Sequence, residues 1–392
     1  MNGGMQRCFH IIHQLAKHFE LTLIIHQSQA GFLKSVAAYP VLAAVQVYST
    51  KDQVLKDDLF SLLPKKIAHS IRYRWYKQEL KGPADGLFLQ YYPALNALLK
   101  QHKYDIIILE NLATLNAVSI IRKYDKAVKI VYDAHNVDSS LALAAVEKRA
   151  MEKPMQNVIN TAEAALGKTV DAVIACSRHD LDELNKLNQH QLKGTVIPNG
   201  VNLSNHLAGE GVLLDLPEYI LFCGSLYAAP NGEGLLWFYN KIWPAVQESF
   251  PKLKFLIVGS GTAPESLQAL KNDAAILFTG TVEEVGIWYN KAAVAIVPLL
   301  TGSGTRLKIL EAMGMGLPVV STSKGAEGLA YTNGQDIIIA DEEKDFAAAI
   351  ISLLTNKQLR VAMQQAARNW VEKKYDWNVI GLSMADFLNE EL

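Results

Sequence analysis

The fold is decided by residues 301–322, TGSGTRLKILEAMGMGLPVVST. A short apolar run, VAIVPL, precedes this stretch at 294–299, and another, PVVST, closes it at 318–322. Between the two runs lie a glycine-rich turn and, from about Thr305, apolar residues at helical spacing. Strand, turn, helix and strand in this order form a βαβ unit, which predicts parallel pairing of the two strands.

The same alternation of apolar runs and helical patterns extends over almost the whole chain. Each run is short and apolar throughout, which is typical of parallel strands buried on both faces. The remaining runs are LTLII (21–25), VQVYS (45–49), DIIIL (105–109), KIVYD (129–133), AVIAC (172–176), TVIP (195–198), YILFC (219–223), KFLIVG (254–259), AILFTG (275–280) and DIIIA (336–340). The sequence therefore predicts an α/β protein with two doubly wound parallel sheets.

The chain divides into two domains of similar size. Its 392 residues suit two domains of roughly 150 residues or more each. The turn PNG at 198–200 closes one strand, and the weakly patterned segment Val201–Pro217 suits a linker. We predict an N-terminal domain over 1–200, a C-terminal domain over 201–376, and a last helix over 377–392 that could pack back on the first domain.

The N-terminus lacks a strand that this pattern leads us to expect. Asn2, Gly3 and Gly4 look like a strand-to-helix turn, and helix-period residues follow them at once. An α/β domain normally begins with a strand before such a turn. We therefore expect either a misplaced start codon or a naturally truncated chain.

Composition excludes several classes of protein. Hydrophobic residues make up 50% and charged residues 20% of the chain, which excludes a disordered or collagen-like protein. Lys plus Arg is 38 and Asp plus Glu is 39, and this near-neutral balance argues against a nucleic-acid-binding protein. The cysteines lack metal-binding or disulfide spacing, and no apolar run has the ~18–20 residues of a membrane span. We therefore predict a cytoplasmic protein.

The glycine-rich stretch carries the strongest signal for a binding site. Gly302 and Gly304 allow close approach of the backbone, and amides at a helix start attract anions. Arg306 and Lys308 would add two cations in the first helical turn, where they oppose the helix dipole unless an anion is bound. Lys308 could hold a diphosphate and Glu311, on the same face, a ribose diol. The alternative is a surface ion pair between Lys308 and Glu311.

The segment GSGTRLKILEAMGMGLPVVSTSKGAEGL, from Gly302, resembles the nucleotide-sugar site of retaining glycosyltransferases of the GT-B fold, in the group called family 4. Further matches follow in order along the chain. They are VYDAHNVDS (131–139), DAVIACSRHDLDEL (171–184), VIPNGV (196–201), GSLYAAPNGEGLLWF (224–238), VGSG (258–261) and TGTVEEV (279–285). The resemblance covers essentially the whole chain and implies two Rossmann-like domains facing across a cleft.

The resemblance assigns the donor side of the site. Glu311 matches the second glutamate of the family's E-x7-E pattern, which holds the nucleotide ribose, whereas the first glutamate is replaced by Ser303. Many relatives grip the diphosphate with an Arg and a Lys after the second domain's first strand, and these are missing here, so Arg306 and Lys308 could supply the charge. The implied donor-binding residues are Gly224, Ser225, Gly259, Gly280, Gly302, Ser303, Gly304, Thr305 and Glu311.

The other predicted site residues belong to the first domain. His135 matches the family's active-site histidine, and it is predicted to be catalytic with Arg306 and Lys308, although a structural histidine at a strand end is the alternative. Gly3 and Gly4 match the glycine-rich turn that approaches the donor phosphates or the acceptor. Glu110 follows the DIIIL strand, and acceptor contact and plain solvation of a loop both remain open for it.

Two acidic residues flank His135. Asp133 could orient the loop that carries the histidine, whereas Asp138 is predicted to cap the following helix.

The resemblance implies transfer of a sugar from a nucleoside diphosphate sugar to a glycan or lipid-linked acceptor hydroxyl, with retained configuration, in polysaccharide or glycoconjugate synthesis. It implies neither a cofactor nor a metal ion. Two alternatives stay open: a nucleotide-sugar epimerase on the same fold, and an inactive binding subunit. The basic segment 64–81, with interleaved aromatic residues, would suit peripheral contact with the inner membrane face or, as the alternative, a solvated helix.

Overall fold

The computed structural model describes residues 3–25, 45–49, 91–147, 153–203, 213, 217–261, 264–302 and 306–392. The chain forms two compact units. The first comprises Met1–Pro198 together with Gly381–Leu392, and the second comprises Asn199–Ile380. In the described parts of the chain, no helix is both long enough and apolar enough to cross a membrane.

The first unit is an α/β body whose described strands are all parallel. Its strands are β1 (Thr22–Ile25), β2 (Gln46–Ser49), β3 (Ile106–Leu109), β4 (Lys129–Ala134), β5 (Ala172–Ala175) and β6 (Gly194–Val196). Its helices are α1 (Gly3–Leu15), α2 (Tyr92–Gln101), α3 (Ala117–Tyr124), α4 (Asp138–Glu147), α5 (Lys153–Glu163), α6 (Leu166–Thr169) and α7 (Arg178–Leu187). The sheet order is β3-β4-β5-β6, and β1 and β2 form a separate parallel pair.

The second unit contains a six-stranded parallel sheet. Its strands are β7 (Tyr219–Cys223), β8 (Lys254–Val258), β9 (Ile276–Gly280), β10 (Val294–Val297), β11 (Val319–Ser321) and β12 (Ile338–Ile339). Its helices are α8 (Ala229–Lys241), α9 (Trp243–Ser249), α10 (Gln268–Asn272), α11 (Gly286–Lys291), α12 (Leu307–Gly314), α13 (Glu343–Thr355) and α14 (Lys357–Lys374). The last helix, α15 (Trp377–Glu390), runs past the end of this unit into the C-terminal part of the first.

The strand order of this sheet fixes where a ligand can bind. The order is β12-β11-β10-β7-β8-β9, so the chain starts in the middle at β7, winds to one edge, and returns through β10 to the other edge. In doubly wound sheets a ligand binds beyond the carboxyl ends of the two strands at which the winding reverses. Here these strands are β7 and β10.

Both faces of the second sheet are covered, which explains why its strands are apolar throughout. Ile220 and Phe222 of β7 belong to a buried cluster on one face, with Trp243 among its largest members. Leu221, between them in sequence, packs into a separate cluster with Met313 of α12. Full burial of one large apolar side chain contributes roughly 1.5–3 kcal/mol to the free energy of folding.

All the predicted strands are confirmed, but three local predictions are wrong. Helix α12 begins at Leu307, and Arg306 is its N-cap at φ −84° and ψ 60°, outside the helical region; the predicted start at about Thr305 placed Arg306 in the first turn. Gly3 and Gly4 form the first turn of α1 instead of a turn before it. Asp138 is the first residue of α4, not its cap.

Glu163 provides the cap that Asp138 was predicted to give. Its buried carboxylate, on α5, accepts the backbone N–H groups of Asp138 at 2.7 Å and Ser139 at 2.9 Å. The basic segment 64–81, most of the predicted linker, and Ser303, Gly304 and Thr305 lie outside the described residues.

Candidate active site

Several of the residues predicted from sequence to bind the donor lie at the carboxyl ends of β7 and β10. Gly224 directly follows β7, and the loop after β10 leads through Gly302 into α12. A Cβ atom on Gly224 would lie only 2.9 Å from Asn231 Nδ2 and 3.1 Å from Lys308 Nζ. The glycine therefore leaves the space that lets the Lys308 side chain reach the end of β7.

Lys308 is the best-defined cation of this site. Its Nζ donates a hydrogen bond to Asn231 Oδ1 at 2.6 Å and lies 4.7 Å from the centre of the Phe222 ring. Burial lowers the pKa of Lys308 to about 8, with a smaller contribution from Arg306, while Cys223 and Glu311 act in the opposite direction. The side chain is half-buried and turned to Asn231, so the alternative of a surface ion pair with Glu311 is wrong.

Asn231 is a site residue that the sequence reasoning missed. It lies in the first turn of α8, and its Nδ2 donates to Ser225 O at 2.7 Å while its Oδ1 accepts from Lys308. One amide thus holds both the loop after β7 and the lysine of α12. A signal existed, because Asn231 lies inside the matched stretch GSLYAAPNGEGLLWF.

Glu311 lies one turn beyond Lys308 on α12. Burial raises the pKa of the Glu311 carboxyl, whereas Tyr289 and Lys308 lower it. The Tyr289 hydroxyl is buried beside Glu311 and Cys223. A half-buried carboxylate with a hydroxyl beside it can accept hydrogen bonds from a vicinal diol of a ligand.

Arg306 is more buried than the sequence suggested, with 6% of its surface exposed. Its Nη2 donates to Lys324 O at 2.9 Å and Gly302 O at 3.1 Å and lies 3.3 Å from Glu327 Oε2. Burial lowers the pKa of Arg306, although the Glu327 charge opposes this. The guanidinium of Arg306 thereby fixes the glycine-rich loop. Lys308, and not Arg306, is the cation that lies beside Gly224.

Three predicted glycines shape the loops of the second unit. Gly302 has φ +107° and Gly280 has φ +69°, a region that disfavours other residues. A Cβ on Gly259, after β8, would lie 1.9 Å from the carbonyl oxygen of Gly224. The loops after β7 and β8 therefore pack backbone against backbone. Ser225, another predicted donor residue, directly follows Gly224 in the first of these loops.

Gly259→Ala is expected to destabilise the second unit by about 1–3 kcal/mol, the usual cost of overpacking, and to weaken nucleotide binding by displacing Gly224. Denaturant unfolding and calorimetric titration of the full chain with UDP and GDP measure both effects. Gly232→Ala, within α8, is the matched control, because a Cβ there meets no atom within 4 Å apart from the backbone of its own helix. If both variants had the same stability and the same nucleotide affinity, the close contact of Gly259 with Gly224 would not be important for either property.

In the first unit, His135 and Glu110 come together at the ends of neighbouring strands. His135 follows β4 and Glu110 follows β3, and His135 Nε2 lies 3.0 Å from Glu110 Oε2. Burial opposes protonation of the imidazole, but the bond to Glu110 and the charge of Asp133 raise the pKa of His135. Cys8 of α1 donates from its Sγ to the same Glu110 oxygen at 3.3 Å. Glu110 is thus hydrogen-bonded to both His135 and Cys8.

Arg7 and Asp133 lie directly beneath this group, and Arg7 is a second residue that the sequence reasoning missed. Arg7 Nε and Nη2 donate to the two carboxylate oxygens of Asp133 at 3.0 and 2.7 Å, and Nη1 donates to Ile197 O at 2.8 Å. The exposed fractions are 1% for Arg7 and 0% for Asp133. Since Gly3 and Gly4 belong to the same helix as Arg7, this ion pair attaches the whole N-terminal helix to the sheet.

Two family models match the chain. The model described as Glycosyltransferase Family 4 matches residues 2–205, just over half of the chain, and the model described as Glycosyl transferases group 1 matches residues 217–356. The first covers the group around His135, and the second covers the loops after β7 and β10.

Curated relatives match parts of the chain. A Klebsiella pneumoniae protein described as an uncharacterized 44.6 kDa protein in the cps region is 32% identical over 164 residues, which cover 40% of this chain and 42% of that protein. A GDP-mannose-dependent alpha-(1-6)-phosphatidylinositol monomannoside mannosyltransferase of Mycobacterium tuberculosis is 30% identical over 159 residues, 37% of this chain and 41% of that one. The matches thus span less than half the length of either relative.

Solved structures match nearly the whole chain. The HepE protein of Anabaena, solved in complex with UDP and glucose, aligns with a TM-score of 0.66 at 14% identity, over 99% of this chain and 96% of that one. A glycosyltransferase from Rickettsia africae aligns with a TM-score of 0.65 at 15% identity, over 100% and 96% of the chains. At this identity the likeness shows the fold, which is GT-B. With a family model over more than half of its length, the chain belongs to glycosyltransferase family 4.

Proposed function

We propose that the protein transfers a sugar from a nucleoside diphosphate sugar to an acceptor hydroxyl, with retention of configuration and without a metal ion or cofactor. One observation carries the proposal. The ammonium of Lys308 is held half-buried beside Gly224, with Asn231 as its hydrogen-bond partner and Glu311 one turn further along α12.

This arrangement suits a diphosphate that leaves with a developing charge. A cation positioned before the reaction stabilises such charge strongly in a partly desolvated site, because the protein need not reorganise. Lys308 already bears the cost of burial, which its lowered pKa of about 8 reflects, so a bound anion compensates that cost. Helix α12 begins beside it, and its first amides favour the same anion.

We assign the ribose of the nucleotide to Glu311. A carboxylate three residues after Lys308 lies on the same helical face and accepts hydrogen bonds from a ribose diol. The base is left open, because one of the relatives named above is GDP-mannose-dependent and a structural neighbour was solved with UDP.

The acceptor is proposed to be a glycan or a lipid-linked sugar in polysaccharide or glycoconjugate synthesis. Two named relatives support this: one is encoded in a cps region, and the other acts on a phosphatidylinositol mannoside. His135, with Glu110 as its partner at 3.0 Å, is proposed to contact the transferred sugar.

The direct test incubates the full chain with a panel of UDP- and GDP-sugars, with and without glycan and lipid-linked acceptors. We expect slow donor hydrolysis alone, faster release of nucleoside diphosphate with the right acceptor, and a product with the donor's anomeric configuration by NMR. Conversion of the donor into another nucleotide sugar would instead identify an epimerase. Donor binding without any turnover would identify an inactive binding protein.

His135→Ala is expected to lower kcat by about tenfold or more, which corresponds to ~1.4 kcal/mol of lost transition-state stabilisation. Nucleoside diphosphate affinity should stay within about twofold, since the imidazole is assigned to the sugar. Steady-state kinetics and calorimetric titration give the two values. Full transfer activity in this variant would overturn the assignment of His135.

Glu311→Gln is expected to weaken binding of a ribonucleoside diphosphate by about 1 kcal/mol, because the amide keeps an accepting oxygen but loses the charge that makes such a hydrogen bond stronger than a neutral one. The loss should be much smaller for the 2′,3′-dideoxy analogue, which lacks the diol. Calorimetric titration of both ligands against both proteins gives the comparison. Equal losses would mean that Glu311 does not hold the ribose.

A further inference from the structure

Three side chains of different chemistry meet in the first unit at a single point. Cys8 projects from α1, Glu110 follows β3, and His135 follows β4. The separations are 3.0 Å between His135 Nε2 and Glu110 Oε2, 3.3 Å between Cys8 Sγ and Glu110 Oε2, and 3.9 Å between Cys8 Sγ and His135 Nε2. The thiol, carboxylate and imidazole donor atoms therefore already form a triangle.

We propose that Cys8, Glu110 and His135 form a binding site for Zn²⁺ or a metal ion of similar softness, and that an ion bound there inhibits sugar transfer. The inhibitory part rests on the proposed function, whereas metal binding does not depend on it.

The triangle has the size that a tetrahedral zinc ion requires. Zinc bond lengths of about 2.3 Å to sulfur and about 2.0–2.2 Å to nitrogen and oxygen place tetrahedral ligands roughly 3.4–3.6 Å apart. The three observed separations differ from those values by roughly 0.4 Å or less. Small side-chain movements would complete the coordination.

The triangle is only partly buried. The side chains of His135 and Glu110 are 21% and 30% exposed, so both ligands are accessible from solvent. Three protein ligands and one water molecule form the usual arrangement of an open zinc site.

Charge and ligand type favour zinc over magnesium or calcium. A thiolate with an imidazole and a carboxylate suits zinc or cobalt, whereas magnesium and calcium prefer oxygen ligands alone. Binding releases the Cys8 proton to solvent, and the thiolate and Glu110 then neutralise the two charges of the ion. Asp133 lies 3.9 Å from His135 Nε2 and is paired with Arg7, so its charge is already balanced.

We expect the bound ion to inhibit transfer because of the atom of His135 that it would occupy. The Nε2 atom that would bind the ion is the one that faces Glu110. An ion on this atom removes it from any contact with a sugar, so occupancy of the site and transfer should exclude each other.

The test uses the full chain, freed of metal with a chelator and then titrated with Co²⁺ and with Zn²⁺. We expect one ion per chain, a thiolate-to-cobalt charge-transfer absorption, and its loss when Zn²⁺ displaces Co²⁺. Cys8→Ser should abolish this absorption and weaken zinc binding by at least about tenfold, the lower end of the loss that even outer partners of metal ligands cause. Glu110→Gln should weaken it similarly.

Cys176→Ala is the matched control, because Cys176 is a buried thiol that donates to Ala134 O and lies outside the triangle. It should keep the absorption and the zinc affinity. Unchanged zinc affinity in Cys8→Ser, or loss of the absorption in Cys176→Ala, would overturn the site, provided that circular dichroism shows both variants folded.

Inhibition is measured separately, as the fraction of each protein's own zinc-free transfer rate. The wild-type chain should lose most of its rate at saturating zinc, and Cys8→Ser should resist. Zinc that binds the triangle without slowing transfer would overturn the inhibitory role. A chain that binds zinc but transfers no sugar under any condition would contradict the proposed function and leave the metal site standing.

Discussion

Replacing Arg7 with methionine is expected to lower the free energy of unfolding of the first unit by about 3–5 kcal/mol, the cost of removing one partner of a buried ion pair. Arg7 and Asp133 are 1% and 0% exposed and share two hydrogen bonds. Burial already raises the pKa of the Asp133 carboxyl against the effect of Arg7. Without the guanidinium, Asp133 must be protonated or stay charged and unpaired.

Hydrogen exchange of the full chain, followed by mass spectrometry, measures this effect in the first unit alone. Peptides from α1 and β4 should exchange much faster in Arg7→Met than in the wild-type chain. Arg122→Met is the control, because its pair with Asp171 is 29% and 32% exposed, and such pairs contribute about 0–1 kcal/mol.

A double variant separates the charge from the packing. Replacing both partners, Arg7→Met with Asp133→Leu, should recover most of the loss, since no uncompensated charge remains. Equal destabilisation by Arg7→Met and Arg122→Met would mean that the buried pair does not stabilise the first unit.

The parallel strands were predictable because burial on both faces leaves a signal in the sequence itself. A strand such as Tyr219–Cys223 must be apolar at every position, since Phe222 and Leu221 enter cores on opposite faces. The resulting apolar run is visible without any knowledge of its neighbours. The βαβ order then predicts the parallel sheets and their ligand-binding edge.

The polar contacts of the site were not predictable in the same way. Arg7 and Asp133 are 126 residues apart, and Lys308 and Asn231 are 77 apart. A lone arginine in an amphipathic helix looks solvated, and no local pattern shows that it will meet a buried carboxylate. Helix periodicity also cannot fix the first residue of α12, because the non-helical backbone of Arg306 depends on contacts with Gly302 and Lys324.

Lys308→Ala is expected to weaken nucleoside diphosphate binding by about 1.5–3 kcal/mol, or roughly 10- to 150-fold. The variant removes the ammonium beside Gly224 and leaves Asn231 Oδ1 without the donor that it has at 2.6 Å. Calorimetric titration of the full chain measures the change. Lys291→Ala is the matched control, because Lys291 also lies over an aromatic ring of the second unit, 4.8 Å from the centre of Trp288, but is exposed.

The same residue should give nucleotide binding a distinct dependence on pH. Burial brings the pKa of Lys308 to about 8, so the free protein loses this positive charge as the pH rises through 8. Of the other groups that act on it, Cys223 has its pKa raised to about 11 by burial, burial also raises the pKa of the Glu311 carboxyl, and Arg306 stays charged. Affinity should therefore fall above pH 8, and binding near pH 8 should take up a proton, since the bound diphosphate raises the pKa of the ammonium.

Titrations in buffers of different ionisation enthalpy count that proton, and Lys308→Ala should lose both the proton uptake and the fall in affinity. A variant that keeps the full pH dependence would assign it to another group and remove Lys308 from the diphosphate.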